Sequence, residues 1–416
     1  MSAAATASLE IAEPACSPER ETCSDRVNVL VLIGNLEHGG SQRQAVELAN
    51  HLDESRFTVT VCSLSDNVPL AAGLRRKDER LVVVPRQRRL CPRTVWRLAR
   101  LMRKRNIGVV HDFHSSAEIL GRVAARMAGV PAVVASERSC DGERTKFQNL
   151  CHHLTQSWFD VIIANSESGK RLHVERLGLP ADRVRVVRNG VDSSKFRPSK
   201  GLRVRRELRI PAHAPVMGMV AAFQRHKRHE DFFRIARLVR HRFPGARFLC
   251  AGEPLREQPR KRDDYHMEIR EMVHAEGLAG HCLFLGARDD MPDVYAACDV
   301  TVLTSSREGT PNALLESMAC GVPAVVTDVS DNAHLVPGSD VGYIVAVGDV
   351  EETAHRVCEL LADSDRRKDR GRIARDWVVR EFSTAGLARR TEAVYLDVLR
   401  AKEAARTARR RSPVAD

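Results

Sequence analysis

No stretch of this sequence reaches the roughly 18 consecutive apolar residues that a membrane-spanning helix requires. Its first 25 residues, MSAAATASLEIAEPACSPERETCSD, lack a basic start and an apolar core of signal-peptide length, and read as a disordered leader. No two of the 11 cysteines are spaced Cys-x-x-Cys, and an odd number cannot pair completely. That excludes a complete disulfide framework and suggests a reducing, cytoplasmic setting. Aromatic residues make up only 5% of the chain, which leaves little to stack along a nucleic-acid strand, and no nucleic-acid motif is present. No nucleic-acid partner is therefore expected, despite a formal net charge of +12. P-loop, Gly-x-Gly-x-x-Gly and zinc-like spacings are also missing. Asp363-Ser364-Asp365 has an Asp-x-Asp spelling, but it stands in a polar gap between helical segments and reads as a cap. Neither a metal nor a cofactor is expected.

Acid is absent between Leu81 and His111, where Arg86, Arg88, Arg89, Arg93, Arg97, Arg100, Arg103, Lys104 and Arg105 accumulate. From Pro92 to Arg105 the period is helical, with Val95, Leu98, Ala99 and Met102 on one side and most arginines opposite. Two readings stay open: a crossover helix with a solvated basic face, or a patch that meets an anionic membrane.

What is present is repeated alternation. Apolar runs at Val27 to Ile33, Thr58 to Cys62, Leu81 to Val84, Gly108 to His111, Ala132 to Ala135, Asp160 to Ala164 and Val184 to Val187 alternate with amphipathic segments. Apolar at nearly every position, they read as strands covered on both faces of a parallel sheet. The pattern breaks after Asn189 and restarts at Val216 to Val220, Arg247 to Ala251, Cys282 to Leu285, Asp299 to Leu303 and Pro323 to Val326. The fold class is α/β: two Rossmann-like domains facing a central cleft. Expected boundaries are 26–200 and 201–385, with a helix over 386–405 returning to the first domain and a basic tail over 406–416.

SSREGTPNALLESMACGVP, Ser305 to Pro323, places Glu308 before a helix start and Glu316 nearly two turns inside it. Thr310 is expected to cap free amides, Pro311 to take the first helical position and Gly321 to stop the helix. Free amides and a positive dipole end suit a phosphate. A carboxylate on either side suits hydroxyls at the two ends of a sugar–diphosphate–ribose ligand. From spacing alone, an ordinary crossover helix explains the pair equally well.

FLGARDDMPDVYAACDVTVLTSSREGTPNALLESMACGVPAVVTDV resembles the donor-site signature of the retaining family-4 glycosyltransferases of GT-B fold. NLEHGGSQRQAVELA, LGRVAARMAGVPAVVASERS, VIIANSESGKR, VRVVRNGVD and GMVAAFQRHKRHEDF are similar to further segments of that family, in the expected order. The resemblance runs from about Val27 to Leu399. It implies a transferase that moves a sugar from a nucleotide diphosphate-sugar to an acceptor hydroxyl with retention, in cell-envelope or extracellular polysaccharide or glycolipid synthesis. The acceptor would be a glycan or lipid-linked glycan, reached at the inner face of the cytoplasmic membrane if the basic patch docks there. Glu308 would position the sugar, and Glu316 would bind the ribose. Gly39 and Gly40 would close over the donor phosphates, and Gly309, Thr310, Pro311 and Asn312 would form the anion-binding helix start. Lys227 would pair with the diphosphate, helped by Arg225 from the position next to the usual arginine. A histidine at the cleft edge, His111 or His114, would touch the sugar. An epimerase or phosphorylase on the same architecture, or a non-catalytic basic protein binding membrane or nucleic acid, are the competing readings.

Overall fold

The computed structural model describes residues 26–86, 91–113, 115–138, 146–254 and 264–411. Two parallel sheets organise it. The first contains β1 (Val27–Ile33), β2 (Phe57–Ser63), β3 (Leu81–Val83), β4 (Val109–Phe113), β5 (Ala132–Glu137), β6 (Val161–Ala164) and β7 (Val184–Val186), in spatial order β3-β2-β1-β4-β5-β6-β7. The second contains β8 (Val216–Val220), β9 (Arg247–Ala251), β10 (Cys282–Gly286), β11 (Val300–Leu303), β12 (Ala324–Thr327) and β13 (Tyr343–Val345), ordered β10-β9-β8-β11-β12-β13. Each sheet reverses its winding once, between β1 and β4 and between β8 and β11. Ligands of open α/β sheets bind outside the strand carboxyl ends at such a reversal.

Seven apolar runs of the first half and five of the second become strands, with ends that move by no more than two residues. The sequence reading did not include β13, whose apolar run, Tyr343–Val345, is only three residues long. The central strands are buried on both faces, so even their polar residues, such as His111 and Asp112 in β4, lie in the interior. Burying each Val, Leu or Ile contributes about 1.5–3 kcal/mol relative to leaving it in water.

The helices that matter for the cleft are α1 (Gly40–His51), α2 (Pro92–Lys104), α3 (Ser115–Ala128), α4 (Lys146–Thr155), α5 (Tyr265–Ala275), α6 (Asn312–Ala319), α7 (Ser364–Glu381) and α8 (Thr384–Arg411). α2 buries Thr94, Leu98, Ala99 and Met102 and leaves its arginine face in solvent. The side chain of Asp363 caps α7 by accepting from the amides of Asp365 and Arg366. α8 crosses back to the first domain, where Leu387, Ala388, Val394 and Tyr395 join the core formed with α1 and β4. Among the described residues no helix is long and apolar enough to cross a membrane.

Candidate active site

The loop after β11 and the loop after β8 meet at the reversal of the second sheet. Glu308 is 8% exposed and its Oε1 accepts from Lys227 Nζ at 2.5 Å and from Ser305 Oγ at 2.6 Å. Its backbone is fixed as well: its amide donates to Ser330 Oγ at 3.2 Å, and its carbonyl accepts from the same hydroxyl. Lys227 is held at the end of a single 3-10 turn, because the Thr304 hydroxyl bonds the carbonyls of Lys227 and Arg228. The carboxylate and ammonium therefore form a fixed pair at the mouth of the cleft.

α6 begins immediately afterwards. Asn312 is its first residue and Pro311 its N-cap, with no side chain bonded to the first-turn amides. This differs from the expected Thr310 cap. The Thr310 hydroxyl donates instead to the carbonyl of Asn165 in the first domain, a partner far away in sequence. The start of α6 therefore keeps its amides and the positive end of its dipole uncapped by the protein. The helix ends at Cys320, and Gly321 supplies the left-handed stop at φ +74°.

Glu316 is 6% exposed and faces the first domain. Its Oε1 accepts from Arg43 Nη1 at 3.0 Å, and its Oε2 from the Tyr295 hydroxyl at 2.9 Å. The charge of Glu316 raises the Arg43 pKa, while burial and then the same carboxylate push the Tyr295 hydroxyl well above its usual value, so both remain donors. Arg43 stands on α1, directly after the glycine loop. Gly39 is the extended N-cap of that helix and Gly40 its first residue, and the Gly40 carbonyl accepts from Asn312 Nδ2 at 3.2 Å. The glycine loop and the start of α6 thus face each other across the cleft.

Neutral amides complete the contact. Asn189 Nδ2 donates to the Thr310 carbonyl at 2.8 Å and to Asn312 Oδ1 at 2.7 Å, and Gln44 Nε2 reaches Asn312 Oδ1 at 3.3 Å. Gln44 also exchanges two bonds with the backbone of Gly190. A Cβ on Gly309 would come within 2.5 Å of Asn165 Oδ1, so this position requires glycine for close approach rather than for its φ. Sequence reasoning assigned Asn189 only to a turn and missed Arg43, Tyr295, Gln44 and Asn165. Their partners across the cleft lie more than a hundred residues away, and no local spacing signals them.

Two expected residues lie elsewhere. His111 is fully buried in β4, its Nδ1 2.6 Å from the Tyr395 hydroxyl and its Nε2 2.7 Å from Ser136 Oγ. Burial, and then the charge of Arg138, hold its pKa well below the usual imidazole value. It is a neutral core histidine that joins β4, β5 and α8. Arg225 turns away from Lys227: it makes two bonds to Glu268 on α5, at 3.0 and 2.8 Å, and lies over the Tyr265 ring. His114 falls outside the described residues. A feature that sequence reading did not single out is a cavity of about 380 Å³ at the carboxyl ends of β8, β9 and β10, on the edge that carries Lys227. Phe223, Glu253, His266, Arg270, Phe284 and Gly286 line it.

Comparison with known proteins identifies the family and the architecture. The model for Glycosyltransferase Family 4 matches residues 38–195, and the model for Glycosyl transferases group 1 matches residues 202–377. The Escherichia coli UDP-Gal:alpha-D-GlcNAc-diphosphoundecaprenol alpha-1,3-galactosyltransferase is 26% identical over 77% of this chain and 79% of its own length. The N-acetyl-alpha-D-glucosaminyl L-malate synthase of Bacillus anthracis is 25% identical over 73% of this chain and 78% of its own. Anabaena HepE, solved in complex with UDP-glucose, superposes with a TM-score of 0.78 at 19% identity, covering 89% of this chain and all of that one, which identifies the two-domain architecture as GT-B. With one model on each domain and the two sheets in this arrangement, the chain is a glycosyltransferase enzyme and belongs to the group 1 glycosyl transferases.

Proposed function

We propose that this enzyme takes a sugar from a nucleotide diphosphate-sugar and transfers it, with retention, to a hydroxyl of a glycan or lipid-linked glycan. The observation that carries this reading is the uncapped start of α6, bracketed by two buried carboxylates that each hold a cation. The diphosphate rests against the first amides of α6, with Lys227 and the Gly39–Gly40 loop supplying further donors. Glu308 accepts from the sugar hydroxyls, and Glu316 from the ribose. A carboxylate has roughly four acceptor positions, so Arg43 and Tyr295 leave Glu316 capacity for a ribose hydroxyl. The cavity beside Phe223 and Phe284 lies on the same sheet edge and suits the nucleobase.

In the transfer step the bond from the anomeric carbon to the diphosphate oxygen breaks, and a bond to the acceptor oxygen forms on the same face. The acceptor proton passes to the departing diphosphate. Lys227 and the α6 amides stabilise the charge that develops on the leaving oxygen, and the Arg43–Glu316 contact keeps the domains together so that water is excluded. The nucleotide-sugar chemistry in the names of the relatives supports this reading.

The acceptor side extends to a membrane surface. Arg93, Arg97, Arg100, Arg103 and Lys104 are exposed on α2 beside Trp96, which is 55% exposed. Exposed Met127 on α3 and Leu150 and Leu154 on α4 add apolar surface to the same domain. This mix of basic charge and exposed apolar side chains fits the interface of an anionic bilayer, and supports an acceptor reached at the inner face of the cytoplasmic membrane, in envelope or exopolysaccharide synthesis. Sedimentation with acidic-lipid vesicles tests this part: loss of the bound fraction in a Trp96→Ala, Arg97→Glu double variant is expected. Equal recovery on acidic and neutral vesicles would contradict it. For the reaction itself, UDP or GDP raises the melting temperature while duplex DNA does not, and purified protein releases sugar from the matching donor. A protein that responds to neither nucleotide would not be the proposed enzyme.

A further inference from the structure

Arg138 follows β5 at the carboxyl edge of the first sheet, beneath the contact between the domains. It is 8% exposed. Its Nη1 donates to Asn189 Oδ1 at 2.7 Å, and its guanidinium lies 4.9 Å from the centre of the Phe113 ring. Its Nε and Nη2 are buried without a hydrogen-bond partner, and no carboxylate among the described residues is paired with it. Burial lowers its pKa to about 10, so it remains a cation at neutral pH. A buried charge without a counter-charge costs several kcal/mol, and folds do not keep one without compensation.

The position of the two unpartnered donors is informative. Nε–H and the adjacent Nη2–H point in parallel from one edge of the guanidinium, the edge that grips two oxygens of a phosphate or carboxylate together. Arg370, also buried and stacked at 4.1 Å on Tyr343, lacks partners at Nε and Nη1, which do not share an edge. Arg138 alone of the two presents an open fork. Its remaining donor is tied to Asn189, whose amide bonds Thr310 and Asn312 at the start of α6.

We infer that the Nε–Nη2 edge of Arg138 is an oxyanion site that receives a phosphate group of a reactant in the cleft. The site becomes accessible when Asn189 releases Thr310 and Asn312 as the domains part, and occupancy is reported to α6 through Asn189. The inference rests on the reading of the cleft as a sugar-transfer site, and it narrows the substrates: if the phosphate is not the donor's own, the acceptor carries one. A phosphate-bearing glycan or lipid-linked glycan has that chemistry.

Titration calorimetry with inorganic phosphate tests it, on wild type and on Arg138→Lys and Arg138→Gln, with and without saturating UDP. Arg138→Lys retains a cation but loses the fork. Wild type is expected to bind phosphate, and both variants to bind it at least tenfold more weakly. Binding that survives saturating UDP assigns the site to the acceptor, and binding that UDP displaces assigns it to the donor diphosphate. Wild-type protein that ignores millimolar phosphate overturns the inference without any variant, as does a folded Arg138→Gln that binds it unchanged. UDP affinity, measured in the same series, reports separately on the transferase reading, since Lys227 and α6 hold that ligand.

Discussion

On the second-domain edge of the cleft, Glu308 is tied to Lys227, Ser305 and Ser330 by contacts made within that domain. On the first-domain edge, Gln44 and Asn189 bond the start of α6 with their side-chain amides, Asn165 accepts from Thr310 at its backbone carbonyl, and Arg43 brings its charge to Glu316 from 273 residues away. The Glu308–Lys227 edge is thus preassembled within its own domain, whereas the Arg43–Glu316 pair needs both domains in contact. On the proposed reading, bond breaking draws chiefly on the preassembled edge, and the contact across the cleft holds it shut.

Substitutions can break or sharpen that contrast. Glu308→Gln removes a charge from the preassembled edge, and kcat is expected to fall about 10²–10³-fold, the usual effect of losing one aligned electrostatic group. Steady-state rates alongside UDP titration check this, since nucleotide affinity should hold. Lys227→Ala is expected to weaken UDP binding by about 10–100-fold, in line with roughly 1.5–3 kcal/mol for a hydrogen bond to a charged group. An unaltered dissociation constant would remove Lys227 from the donor site.

His111 gives a test in the core of the first domain. Its folded pKa lies below its unfolded value, so the unfolded chain takes up a proton that the folded chain refuses. The stability it contributes is complete above the unfolded pKa and is lost as pH falls below it, on the order of 2 kcal/mol between pH 7 and pH 5. His229, held down to about 3 by burial, adds a loss of the same sign. His111→Gln is expected to flatten the decline in melting temperature over that range, with the pH dependence of transfer unchanged. A changed rate profile would return His111 to the reaction. The smallest effect belongs to Arg43→Met. Arg43 is partly exposed, and such pairs contribute about 0.2–1 kcal/mol. The donor KM is expected to rise up to roughly fivefold with kcat nearly retained, together with more donor hydrolysis.

The parallel sheets were legible because strands covered on both faces must be apolar at almost every position, as in Val27–Ile33 and Val216–Val220. Gly321 ended its helix as its lack of a side chain predicts. The Glu308–Glu316 spacing was legible too, but their partners were not. Thr310 gave up its capping role because the Asn165 carbonyl, from the other domain, competes for its hydroxyl. Arg225 reads as a phosphate ligand from its neighbours, yet Glu268 and the Tyr265 ring draw it to α5. His111 looked like a cleft residue by its place at a strand end. β4 in fact continues to Phe113, which carries the strand end two residues further and leaves His111 in the core.

The most direct test is a crystal structure with the matching nucleoside diphosphate or donor bound. The account predicts the diphosphate against the first amides of α6 within reach of Lys227, with a ribose hydroxyl on Glu316. A diphosphate bound elsewhere, with Glu316 still held only by Arg43 and Tyr295, would contradict it.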